Sequence, residues 1–280
     1  MKTVAGRPLL VTVAPNGARR TKADHAALPI AAEEIAVTAS HCAEAGAGML
    51  HLHVRDAAGK HSLAPAHYRA ALQALAVRTG PRLLVQATTE ACGAYTVGQQ
   101  MAAMRELRPE AASFAIREFF PDHAVEPEVA AFFAWAVARG IACQFIVYLP
   151  SEGTRLQELV RRGTIPLATP HALFVLGRYG DGPPSDPAAL DAFLSDWPQN
   201  WPWSVCAFGA QELAVMQRAI HLGGHVRVGF ENNLDGTGGQ PLASNEARVR
   251  EIAALAAEAR RPLLDGIGAR YLFAPPGKGH

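Results

Sequence analysis

The chain has 280 residues, of which 49% are hydrophobic and 18% charged, enough to bury one large core. Its 26 basic and 25 acidic residues give a formal net charge of +1 with no dense basic run, which argues against nucleic acid or an anionic membrane as a partner. Four scattered cysteines, Cys42, Cys92, Cys143 and Cys206, form no C-x-x-C pair; they point away from a disulfide framework or a thiolate zinc knuckle and fit a reducing cytoplasm.

Along the chain, the apolar run after Lys2 is short and is soon followed by Arg19, Arg20 and Lys22, so it reads as a first strand rather than a signal peptide. Predicted strands follow at Leu9–Ala14, Met49–Val54, Arg82–Thr88, Ala111–Ile116, Ala142–Tyr148, His171–Leu176, Trp203–Ala207 and Val226–Phe230. Between them the spacing predicts helices near 31–46, 65–79, 96–107, 124–139, 151–162, 186–197, 210–222 and 243–260. The most apolar window, Val129 to Pro150, is cut by Arg139 and Gly140 and reads as a helix followed by a buried strand, not a membrane span. Strict alternation of strand and helix over residues 1–280 predicts an α/β fold, a single (β/α)₈ TIM barrel, with an open doubly wound sheet as the competing architecture. The Gly/Pro-rich stretch from Gly177 to Pro184 would follow the sixth strand on the catalytic face, either as a lid or as a surface connection.

The strongest local signal is the segment from Met49 to Asp56, which contains His51 and His53. Side chains alternate along a strand, so the two imidazoles share a face about 7 Å apart along the chain. They either share one divalent metal at the C-terminal mouth or fill the barrel interior as a polar pair. The second signal is the apolar strand that ends in Glu231, Asn232 and Asn233. A buried carboxylate is costly unless paired or metal-bound. The eighth strand ends near the same mouth as the second, so Glu231 can complete a His₂Glu site that leaves coordination positions open. Arg227, four residues earlier, faces the same interior and needs an anion, from the substrate or from a protein acid. Thr88 and Thr89, Ser113, Arg117 and Glu118, and Gln144 and Tyr148 sit at or near the ends of strands three, four and five, where they supply a hydrogen-bonding cavity. The other histidines, His61 among them, have no partner in register; His171 reads as structural and His225 lies at the foot of the barrel.

These residues resemble the β-keto acid cleavage enzymes. The likeness rests on Asn16 to Asp24, Leu28 to Ile30, Ala45 to Asp56, Thr88-Thr89, Phe174 to Gly177, and Gly224 to Asn233. The resemblance implies zinc on His51, His53 and Glu231. It implies a reaction in which a β-keto acid and acetyl-CoA give acetoacetate and a new CoA ester. It further implies that Thr88 and Ser113 hold the substrate carboxylate, that Arg227 acts in the thioester steps, and that the protein is a homo-oligomer, a tetramer or a dimer. The chain departs from the pattern at three positions: Asn232 replaces an acid after the metal-binding glutamate, Ile146 replaces the second glutamate of a P-E-x-E strand, and Glu90 replaces a glycine. Ile146 cannot move a proton, so Glu118 is the expected base, with Glu90 and Tyr148 behind it. Two other functions compete: a CoA-independent metal-dependent aldolase or hydrolase acting on a small oxo acid, and a metal- and carboxylate-binding barrel without turnover.

Overall fold

The computed structural model describes residues 4–122, 125–178 and 185–274. Eight parallel strands close into a barrel: β1 (Val11–Val13), β2 (Met49–Leu52), β3 (Leu84–Thr88), β4 (Ala111–Ala115), β5 (Ala142–Val147), β6 (His171–Leu176), β7 (Trp203–Ala207) and β8 (His225–Val228). Closure is made by β8 against β1, with Thr12 opposite Arg227, and by β1 against β2, with Thr12 opposite Met49. The helices that alternate with the strands are α1 (Ala32–Glu44), α2 (Pro65–Thr79), α3 (Val97–Leu107), α4 (Glu126–Ala138), α5 (Pro150–Arg161), α6 (Ala189–Leu194), α7 (Glu212–Leu222) and α8 (Asn245–Glu258). The expected barrel is therefore present, and the open sheet is not. Among the described residues, no helix is long and apolar enough to cross a membrane.

Strand alternation separates two kinds of interior. Leu50 and Leu52 point outward into the main core beneath the helices, while Met49 joins Leu10, Leu84 and Ala111 in an inner layer at the foot of the barrel. On β4 and β5, Phe114 and Phe145 face outward and meet Phe133 of α4 at centroid separations of 5.1 and 5.3 Å. Each such aromatic pair adds about 0.5–1.5 kcal/mol beyond burial. That packing fixes the two strands whose inner faces form one side of the mouth.

The foot is closed by a helix the sequence pattern did not reveal, Gly266–Phe273. Phe273 stacks on His171 at 4.6 Å, and Leu264 and Leu272 pack on the inner apolar layer. Part of the apolar C-terminal segment thus packs on its own barrel. His171 bonds Ser204 at 2.8 Å, and His225 Nδ1 accepts from the Leu10 amide, so both have the structural placement expected of them.

Two strands stop two residues short of their expected C-terminal ends. β2 stops at Leu52, and the chain turns into a short antiparallel hairpin that pairs Val54–Arg55 with His61–Ser62. β8 stops at Val228 rather than Phe230, because Gly229 takes φ +134° and carries the chain into a turn. A Cβ on Gly229 would sit 2.4 Å from the Ala14 carbonyl oxygen, so close approach as well as backbone angle requires glycine here. The helix expected near 186–197 is the short α6, and residues 179–184 of the Gly/Pro-rich stretch, read as a lid or a surface connection, lie outside the described residues.

Candidate active site

His51 stands on β2 and His53 one residue beyond its end, yet their Nε2 atoms converge to 3.1 Å, with both rings essentially buried. The loop after β1 holds them in place. Asn16 donates to the carbonyls of His53 and Pro29, and Arg55 donates to those of Gly17, Arg20 and Gly59. Arg20 in turn donates to the carbonyls of Phe230 and Asn232, on either side of Glu231. The polar segment from Asn16 to Arg20 therefore ties the His51–His53 strand to the Glu231 turn.

Glu231 reaches the site from that turn, not from a continuing strand. Its backbone amide donates to the Ala14 carbonyl, and its carboxylate lies 3.1 Å from Arg227, 3.4 Å from His53 Nε2 and 3.6 Å from His51 Nε2. Burial pushes its pKa up, but Arg227, His53 and His51 outweigh that and hold it well below the usual carboxylate range. Burial depresses His51 to about 3, so its ring is neutral and its lone pair free.

These residues fit a divalent metal. His51 Nδ1 lies 2.7 Å from Gln86 Oε1, so Nδ1 carries the proton and Nε2 the lone pair. That lone pair faces a second imidazole nitrogen and a carboxylate, an arrangement a cation stabilises. Ligands held tetrahedrally about 2.0–2.1 Å from zinc lie roughly 3.3 Å apart, and the three separations here are 3.1, 3.4 and 3.6 Å. Gln86 is itself oriented, because its Nε2 donates to Gln144 Oε1 at 3.1 Å. Replacing Gln86 with leucine is expected to weaken metal binding about 10- to 100-fold, the usual effect of losing a hydrogen-bond partner of a metal-binding histidine. Competition against a chromophoric chelator measures it; unchanged affinity would remove Gln86 from the site.

A cavity of about 480 Å³ opens above the cluster, lined by His51, Glu231, Arg227, Thr88, Glu118 and Ile146 among others. Of the residues expected to face the substrate, Thr88 lines it, and its hydroxyl accepts from the Glu90 amide. Thr89 instead donates to the Ser113 carbonyl, and Gln144 is engaged with Gln86 lower in the barrel. The Ser113 hydroxyl and both amide atoms of Asn232 are buried, with no hydrogen-bond partner among the described residues. Arg227 also donates to Cys206 Sγ at 3.4 Å.

Glu118 sits on the short helical turn Ile116–Phe119 that follows β4. Its Oε2 accepts from the Ala91 amide and from Gln100, and burial raises its pKa against those bonds. Glu90 reaches the same cavity, paired with Arg19 at 3.2 Å, and Tyr148 lies beneath Arg117 at 4.1 Å. His61, read from the sequence as isolated, is not. The hairpin brings its ring 5.4 Å from His53, it bonds the Glu90 carbonyl at 2.8 Å, and burial depresses it to about 4. The local mark of that fold-back is Asp56 to Gly59: Asp56 accepts from the Ala58 and Lys60 amides, and Gly59 takes φ +73°.

Fold and site define a (β/α)₈ enzyme with a His–His–Glu cluster at the C-terminal mouth of its barrel. The chain belongs to the β-keto acid cleavage enzyme family, whose sequence profile matches residues 8–274. It is 30% identical to the 3-keto-5-aminohexanoate cleavage enzyme of Acetoanaerobium sticklandii, over 95% of this chain and 97% of that one. It is 28% identical to the 3-oxoadipate:acetyl-CoA acetyltransferase of Cupriavidus necator, over 96% of each. Among solved structures, apo ObcA superposes with a TM-score of 0.68 at 16% identity, covering 88% of this chain and 65% of that one, a likeness of fold.

Proposed function

We propose that this protein is a zinc-dependent enzyme that converts a β-keto acid and acetyl-CoA into acetoacetate and a new acyl-CoA. The observation that carries the proposal is the convergence of His51, His53 and Glu231 beside a cavity that also presents Thr88, Arg227 and Glu118, in a chain of this family. Zinc on the three ligands would supply Lewis acidity for the developing negative charge. Thr88 and the unpartnered Ser113 hydroxyl hold the substrate carboxylate, and the neighbouring Thr89 fixes the strand end through the Ser113 carbonyl. Glu118 removes the C2 proton. The C2 carbanion attacks the acetyl thioester carbon and expels CoA thiolate. The thiolate then attacks the original keto carbon, the C2–C3 bond breaks, the carbanion left on C2 takes back the proton held by Glu118, and acetoacetate and acyl-CoA separate. Arg227, with Asn232 alongside the turn, balances charge on the oxygens of the thioester steps. Gln144 serves the site through Gln86.

Cytoplasmic residence is supported by the four unpaired cysteines, and a homo-oligomer by the exposure of Ile267 and Tyr271 on the C-terminal helix. The test of the reaction is product analysis of the zinc-loaded protein with acetyl-CoA and a panel of β-keto acids. Acetoacetate and acyl-CoA are expected in equal amounts, lost on chelation and restored by zinc. Turnover without acetyl-CoA would favour the CoA-independent aldolase or hydrolase, and zinc binding without any product would favour the binding barrel.

A further inference from the structure

The two sides of the mouth differ in chemistry. His51 and Arg227 stand on β2 and β8, the neighbours of β1 in the closed ring. β5 lies four places from β1 in that ring of eight, directly across the mouth. At the level of the cavity β5 presents Ile146, β6 presents Val175, and the chain just past β7 presents Phe208. These three pack together with Ala115, Leu173 and Cys206, edged by Tyr148. The charged groups nearest that side are directed elsewhere. Arg117 donates to Glu152 at 2.7 Å and lies over the Tyr148 ring, while Glu118 Oε2 is held by the Ala91 amide and Gln100. Arg178 is exposed at the rim.

A substrate whose keto group lies at the His51–Glu231 side, with its carboxylate on Thr88 and Ser113 of β3 and β4, has the β5–β7 wall left to receive its remaining carbons. An alkyl tail is removed from water there and gains contact. A tail ending in carboxylate or ammonium loses its hydration against the hydrocarbon of Ile146, Val175 and Phe208. We propose that Ile146, Val175 and Phe208 form a tail pocket that selects β-keto acids with a short, uncharged alkyl tail over those ending in a carboxylate or an amine. The inference rests on the proposed reaction only for the orientation of the substrate.

Binding separates it from the reaction. The probes are 3-hydroxyhexanoate, 3-hydroxyadipate and 6-amino-3-hydroxyhexanoate, which share one end and differ in the tail, titrated calorimetrically into zinc-loaded protein. The alkyl probe is expected to bind about 10-fold tighter or more than either charged one, a discrimination within the reach of an apolar pocket. Val175→Asp is expected to erase that preference. Phe208→Ala, which only removes bulk, is expected to shift the preference toward 3-hydroxyoctanoate. Equal or tighter binding of a charged-tail probe to the wild type, or no binding of any of the three, overturns the proposal, as does a chain-length preference untouched by Phe208→Ala. Alkyl-selective binding without acetoacetate from 3-oxohexanoate and acetyl-CoA would count against the reaction and leave the tail pocket standing.

Discussion

Alanine at position 231 is expected to abolish metal binding at the proposed site and to lower stability by about 3–5 kcal/mol, the cost of breaking a buried ion pair from one side. Arg227 and Glu231 are 5% and 9% exposed at the side chain and 3.1 Å apart, so water cannot take over when the carboxylate goes. His51 and His53 lose the carboxylate beside them in the same step. Because the Glu231 pKa lies below its ordinary value of 4.5, its contribution is full above that pH and fades as the pH falls toward the depressed value. Metal analysis and denaturant titration measure the two effects. Removing Arg227 as well should recover part of the stability but none of the metal, so a double-mutant cycle separates the ion pair from ligation. Full metal occupancy in the Glu231→Ala protein would end the assignment of this site.

Glu118→Gln is expected to lower kcat/KM about 10²- to 10⁴-fold, the range for a general base, with zinc content unchanged. Glutamine can still accept from the Ala91 amide with its amide oxygen, so local structure should persist. The pH profile carries the sharper information. The base must be ionised, and burial raises the Glu118 pKa. The wild-type rate should therefore fall on the acid side at a pH above the usual carboxylate range, and that limb should vanish in Glu118→Gln. A variant with the full rate and the same limb would transfer the role to Glu90 or Tyr148, which line the same cavity.

The features legible in the sequence were those that repeat along one element. The period-two pattern of Met49 to Leu52 placed His51 inside and Leu50 and Leu52 outside, as the structure has them. The chain order of strands and helices likewise gave the barrel. What stayed hidden depends on contacts between distant segments. The Glu231 carboxylate reaches the histidines because Gly229 bends the chain against Ala14 and Arg20 grips the carbonyls beside it. Even spacing from Arg227 led to the right neighbour through the wrong backbone. The pairing of Arg55 with His61 across a hairpin, the bond from Gln86 to Gln144 between strands β3 and β5, and the helix that plugs the foot leave no periodic trace. Thr88 and Thr89 look equivalent in sequence, yet Thr88, the last residue of β3, lines the cavity, while Thr89, one residue past the strand, bonds the Ser113 carbonyl.

The exchange of acyl groups between a β-keto acid and acetyl-CoA is tested most directly by following one carbon. A β-keto acid labelled with carbon-13 at the carboxyl group is incubated with unlabelled acetyl-CoA and the zinc-loaded protein, and the products are read by NMR. The expected result is label in the carboxyl carbon of acetoacetate and none in the new acyl-CoA, since C1 and C2 of the acid move together onto the acetyl group. Label in free acetate, formed whether or not acetyl-CoA is present, would mean hydrolytic cleavage and would contradict the proposed transfer.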